Sequence, residues 1–182
     1  MTTTQLQLRR DTTANVQAIT PAQGEPVYDV TRKALVLGDG TTPGGLAATP
    51  YAGTWTPQLQ FAGANTGMTA STATGSWVQI GPLLFATFSI VLTAKGSATG
   101  AATIAGLPLP AADPGHGGQA AIDYFTNLAT SPAIMCNINN GASAIALGKS
   151  GATSFATLAD TDFTDTTTLQ GWALYLTAWP AG

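Results

Sequence analysis

Leu83-Leu-Phe-Ala-Thr-Phe-Ser-Ile-Val-Leu92 alternates as an extended strand does. Leu84, Ala86, Phe88, Ile90 and Leu92 make one wholly apolar face, and the other (Leu83, Phe85, Thr87, Ser89, Val91) is half apolar. Successive strand side chains point to opposite faces, so the pattern predicts a strand with a core face and a second face that is also covered. The run is interrupted by Thr87 and Ser89 and falls far short of the ~20 residues that cross a membrane. Trp55-Thr-Pro-Gln-Leu-Gln-Phe61 carries the same period, with Trp55, Leu59 and Phe61 on one side. Near the C-terminus, Trp172, Leu174 and Leu176 are expected to face one way, with Tyr175 and Thr177 the other. Short strands separated by Gly, Pro and Asn turns predict an all-β chain built on an antiparallel β-sandwich, rather than alternating β/α units. One short helix fits the first part, capped at Asp11, Thr12 or Thr13 and running over Ala14–Ile19 before Pro21.

Composition agrees. Ala (32), Thr (30) and Gly (21) fill 83 of 182 positions, and with 11 Pro they disfavour long helices. Charged residues are 8%, against roughly 25% in a typical soluble domain. With a net charge of −3 and no basic run longer than Arg9-Arg10, a nucleic-acid partner is not expected. Disorder is disfavoured by 45% hydrophobic residues at low charge. Met1-Thr-Thr-Thr-Gln5 has neither the basic nor the apolar region of a signal peptide, which suggests folding in a reducing cytoplasm. The lone Cys136 sits in Ile134-Met-Cys136 and reads as a small buried hydrophobe.

The charges divide the chain. Eight of the 15 lie in residues 1–40 and the other seven in 51–182, with the turn-rich Thr41–Pro50 between them. This separates residues 1–45, a linker at 46–52 and a head at 53–182. A segment of some 45 residues buries too little surface to be comfortably stable alone. It is therefore expected to associate with copies of itself or with a partner. Arg9 and Arg10, adjacent on a strand, point to opposite faces, and Glu25, Asp29 and Asp39 are the acids available to pair with them between subunits. Gly38 and Gly40 around Asp39 suit a tight hairpin with positive φ.

Leu6-Gln-Leu-Arg-Arg-Asp-Thr12, Gly24-Glu25 and Lys33-Ala-Leu-Val-Leu-Gly-Asp-Gly-Thr-Thr42 together resemble the N-terminal domain of the bacteriophage major tropism determinant. That family recurs on tail fibres and other virion appendages, so the resemblance implies a small intertwined trimeric β-prism that anchors the chain to the particle. Asp11 stands where the family usually has Gly, and Pro43-Gly-Gly45 replaces its usual aromatic. Gly53-Thr-Trp-Thr-Pro57, Phe61–Gly67, Gly75–Gly81, Leu92–Gly100 and Ile104–Pro108 are similar, in succession, to the β-sandwich heads of phage tail fibres and spikes. Residues 111–170 match poorly, and in such heads the poorly matching loops usually meet the host surface.

The chemistry is sparse. Asp160-Thr-Asp-Phe-Thr-Asp165 holds three carboxylates but lacks calcium-loop spacing, and reads as a solvated acidic loop; no metal or cofactor is expected. His116, in Asp113-Pro-Gly-His-Gly-Gly118, has no nucleophile nearby and reads as a surface histidine or a glycan contact. Trp55, Trp77 and Trp172 fall on apolar strand faces and are expected in the core, which leaves Tyr124 and Trp179 freer to stack on sugars. Asn137, Asn139, Asn140 and Ser143 can hydrogen-bond sugar hydroxyls, or simply make turns.

The reading that follows is a homotrimeric phage fibre or spike on the virion surface. Its N-terminus attaches to other virion proteins, and its head binds a host cell-surface polysaccharide without cleaving it. The candidate contacts are Asp113, His116, Tyr124, Asn139, Asn140 and Trp179. A purely structural spike or adaptor, and a small depolymerase, are the competing readings.

Overall fold

The computed structural model describes residues 8–113, 117–129, 133–150 and 155–177. The chain divides into two compact units. One is formed chiefly by residues 1–52, and the other by Gly53–Val78 with Pro82–Ala178.

The first unit is a four-stranded sheet of order β1-β2-β3-β4: β1 (Arg9–Asp11), β2 (Pro26–Asp29), β3 (Ala34–Leu37) and β4 (Leu46–Ala47). β1 and β2 are parallel, so their connection must cross over, and it contains α1 (Thr13–Gln17). The helix ends two residues before the sequence suggests. Its cap is Thr12, whose side chain makes no capping bond. The preceding Asp11 accepts instead from the Thr12 amide and from Asn15 Nδ2. Among the described residues the core cluster here is Val16, Val27 and Val36.

The turn after β3 is held by Asp39, whose carboxylate accepts from the amides of Thr41 and Thr42 and from the Thr42 hydroxyl. Gly40 has φ +79°, as the turn requires. Gly38 is glycine for another reason: a Cβ there would run into the carbonyls of Pro21 and Ala22. Hydrogen bonds hold three carboxylates of this unit below their usual range: Asp39 chiefly through the Thr42 hydroxyl, Asp11 chiefly through Asn15, and Glu25 chiefly through the Ala22 amide. A carboxylate more acidic in the folded than in the unfolded state stabilises the fold fully above its unfolded value of about 4, and ceases to do so as pH falls through the folded value. Melting of this unit should therefore be insensitive to pH between about 6 and 8, and should move down as pH drops below about 4. Calorimetry of Asp39→Ala should show a weaker acid response; an unchanged one would mean that this turn contributes nothing.

The second unit is one ten-stranded sheet. Its strands are β5 (Tyr51–Trp55), β6 (Gln58–Phe61), β7 (Thr69–Ile80), β8 (Leu83–Ala94), β9 (Ala102–Ala105), β10 (Gly118–Leu128), β11 (Ile134–Ile138), β12 (Ala144–Ser150), β13 (Phe155–Thr157) and β14 (Phe163–Leu176). The path runs β5-β7-β8-β14-β10-β11-β12-β9-β6, with β13 added to β12. Its two edge strands, β5 and β6, are joined by Thr56-Pro57 alone. Nine strands laid flat would hold their edges ~38 Å apart. Three Cα steps from Trp55 to Gln58 reach at most ~11 Å. The sheet must therefore roll up until its edges nearly meet. Phe61 of β6 accordingly packs edge-on against Phe163 of β14, five strands away along the path, at 5.2 Å between ring centroids. The expected sandwich is thus two layers of a single rolled antiparallel sheet, and the described residues are all-β apart from α1 and one 3-10 turn.

Leu84, Ala86, Phe88, Ile90 and Leu92 are all buried in one core cluster with Leu59, Phe61, Ile104, Ile145, Leu147, Leu169 and Tyr175. Three expectations need correction. Trp55–Phe61 is not one strand: Pro57, which has no N–H for a ladder, ends β5, and the chain changes edges there. On β14 the core face is Leu169, Gly171, Ala173 and Tyr175, opposite to the expected one. The residues there are small because their neighbours are large: a Cβ on Gly171 would meet the Ala121 carbonyl and stand 2.9 Å from the Phe88 ring. Finally, the second face of β8 is only partly covered: Thr87, Ser89 and Val91 are half-buried, but the start of the strand is exposed. Leu83 (42% exposed) and Phe85 (39%) lie in register with Leu176 (44%) and Leu174 (39%), and Phe85 stacks on a half-buried Trp172. Trp77 is also only half-buried, whereas Trp55 is in the core.

Candidate functional site: a neutral amide groove on the head

The start of β10 and the end of β11 form an open groove of about 690 Å³, lined by Gly117, Gly118, Gln119, Asn137, Asn139 and Asn140. Antiparallel pairing sets Gln119 opposite Asn137 and Gly118 opposite Ile138. Cβ atoms at Gly117 and Gly118 would collide with the Ile138 carbonyl and the Tyr175 side chain, so close strand approach dictates the glycines and leaves bare backbone in the wall. Gln119, Asn139 and Asn140 are exposed and Asn137 is half-buried. Asn137 Nδ2 donates to Asn139 Oδ1 at 2.8 Å, which fixes both amides and leaves the Asn137 oxygen and the Asn139 nitrogen for a ligand.

Asp113 flanks this turn. The Gly141 amide donates to the Ala112 carbonyl, and the Asp113 side chain comes within van der Waals reach of the Gly141 α-carbon substituent position. Asn139, Asn140 and Asp113 are thus brought together. Tyr124, 52% exposed, is not among them: it stands further along β10, in register with Gln170. His116 and Trp179 lie outside the described residues. Sequence reading named Asn137 and missed Gln119. The signal for Gln119 was the strand alternation itself, since Ala120 points inward and so its neighbour must point out.

The acidic segment is not a solvated loop. Asp160–Asp162 is a 3-10 turn. Asp160 accepts from the Gly100 amide and lies 3.6 Å from Lys95 Nζ, while Asp165 accepts from the Lys95 amide. Asp162 accepts from Ala159 N–H and from Lys149 Nζ at 2.9 Å. Burial opposes ionisation of Asp162, but these donors outweigh it and keep the carboxyl below its usual range. These acids therefore tie the 95–100 loop and β12 to the start of β14. Cys136 is buried, and burial pushes its thiol up to about 11, the opposite of a reactive thiolate.

In the first unit Arg9 lies 3.4 Å from Glu25 of its own chain. Asp29 is buried, accepts from the Thr13 hydroxyl and from the amides of Thr31 and Arg32, and Asp39 serves its own turn. These two acids are therefore engaged inside the chain. Among the described residues Arg10 makes no ion pair, and it sits in register with Tyr28, which with Val30 and Leu37 is an exposed large hydrophobic.

A family model, the major tropism determinant N-terminal domain, matches residues 6–42. No curated protein matches the chain. The crystal structure of the Dettilon tailspike protein (gp208) is similar over 69% of this chain, with a TM-score of 0.59 and 17% identity. The match covers 23% of the tailspike chain, so the likeness concerns the fold of a part of it. The chain therefore carries, over residues 6–42, a segment of the tropism-determinant N-terminal type, and over most of its length it shares the fold of part of a tailspike.

Proposed function

We propose that this chain is a homotrimeric virion appendage whose N-terminal unit attaches to the particle and whose head binds a host cell-surface glycan without cleaving it. The observation that carries the glycan reading is the amide groove. Its side chains donate and accept hydrogen bonds without charge, which suits sugar hydroxyls and involves no desolvated ion. The trimer rests on two exposed apolar surfaces: Tyr28, Val30 and Leu37 on the first unit, and Leu83, Phe85, Leu174 and Leu176 on the head. Contiguous apolar surface of this kind marks a protein contact. A three-valine core needs such support. Three weak sites on one rigid body then raise apparent affinity by roughly 10²–10⁴.

The reading without cleavage is supported by where the carboxylates lie within one chain. Asp160, Asp162 and Asp165 are engaged in structural contacts, which leaves Asp113 and Asp123 in the head. Glycoside hydrolysis needs two carboxyls about 5–10 Å apart. Gly118 and Asp123 alone are separated by five strand residues, about 17 Å, and Asp113 lies beyond Gly118. Light scattering should give a mass near three times 18.4 kDa. Immobilised host-surface polysaccharide should retain the protein without release of reducing ends. A stable single subunit would sink the trimer. No retention would favour a purely structural spike, and reducing-end release would favour a depolymerase.

A further inference from the structure

We propose that a second groove on the head, around Asp123, is a saccharide subsite for an uncharged sugar, so that the receptor is an oligosaccharide lying across β10 and β14 rather than a single terminal sugar. This rests on the glycan reading above. The groove, of about 360 Å³, is lined by Thr74 of β7, Thr87 and Ser89 of β8, Gln170 of β14 and Asp123 of β10. Ala86, Phe88 and Ile90 point into the core, so Thr87 and Ser89 point out, and Gln170 lies opposite Ser89 on the same outer face.

Asp123 is out of place as a structural residue. Aspartate is depleted in strand interiors, yet it sits within β10, at a register shift between Ile122 and Tyr124. Bulges of this kind re-aim side chains and gather at functional sites. Among the described residues it has no hydrogen-bond or ion-pair partner, and both head lysines are already paired, Lys95 to Asp160 and Lys149 to Asp162. A bare carboxylate beside three hydroxyls and an amide is an acceptor set for adjacent sugar hydroxyls, and bonds to a charged acceptor are the stronger kind. With no cation to offset it, the same carboxylate repels uronic, sulfated or phosphorylated sugars.

The two grooves open on one face. Gln119 lies opposite Leu174, and Asp123's neighbour Tyr124 lies opposite Gln170. Those rows are four residues apart along β14, about 13 Å. Ala121 of β10 and Trp172 of β14 occupy the row between them.

The test uses the full chain on immobilised uncharged and uronic-acid oligosaccharides of graded length, with melting temperature as the check on folding. The parent protein should prefer longer uncharged chains. Asp123→Asn and, separately, Gln170→Ala should lower retention of the long chains at least about tenfold and abolish the length preference, with short chains still held. Retention unchanged in both variants would overturn the second subsite and leave the amide groove standing. A parent preference for uronic-acid chains that Asp123→Asn improves would overturn it as well. No retention of any sugar by the parent would overturn both readings.

Discussion

Replacing Phe88 by alanine should lower the unfolding free energy of the head by about 3–5 kcal/mol, the cost of a large cavity in a close-packed core. Phe88 is buried at the centre of β8, and Trp55 meets its ring edge-on at 6.2 Å. Across the ladder, Gly171 leaves the space that the ring fills. The site cannot collapse easily, because Trp55 is held by its own hydrogen bond and Gly171 has no side chain to move in. Urea denaturation of parent and variant, compared at equal slope, measures the difference. A loss near zero would mean that the inward face of β8 has been assigned wrongly.

The second large effect is expected from a smaller change, Gly75→Ala. The indole Nε1–H of Trp55 donates to the Thr87 carbonyl at 2.9 Å, passing over β7 where Gly75 lies. A methyl group at Gly75 would collide with the indole nitrogen, with Trp55 Cδ1 at 2.6 Å, and with the Thr87 carbonyl. All of these are rigid groups. Relief requires the indole to leave its acceptor, so overpacking of about 1–3 kcal/mol adds to about 1–3 kcal/mol for a buried donor left unbonded. The neighbouring pair repeats the device, since a Cβ on Gly53 would stand 2.8 Å from the Trp77 indole nitrogen. Near-ultraviolet dichroism should report the lost tryptophan environment together with a drop of about 3 kcal/mol. An unperturbed tryptophan signal with full stability would refute this packing.

These two residues also show what the sequence made legible. Alternation in Leu83–Leu92 identified every buried side chain of β8, because its core face is uniformly apolar. The same rule failed on β14. There the outward Trp172, Leu174 and Leu176 are more apolar than the inward Gly171 and Ala173, whose size is dictated by a ring on another strand. Hydrophobicity marks burial in either the fold or an assembly, and alternation alone does not say which. The rolled sheet was illegible for a related reason: Thr56-Pro57 looks like a kink within one strand, and only the distant pairing β6–β9 reveals it as the seam. At the candidate site Asn137, Asn139 and Asn140 could be named as polar residues of one segment. Gln119 could not be joined to them until the register of β10 and β11 was known. The acids at Asp160–Asp165 looked free because their partners, Lys95 and Lys149, are far away in sequence.

β14 lies in the interior of the path, hydrogen-bonded to β8 on one side and β10 on the other, yet it follows every other strand of the sheet in chain order. During vectorial synthesis β8 and β10 therefore emerge from the ribosome with a vacant lane between them, and the hairpins made so far cannot zip into a finished barrel-like wall. Completion waits for a ladder of long sequence separation, a slow step by nature. In the interval, the apolar inner sides of half-built hairpins are open to misassembly.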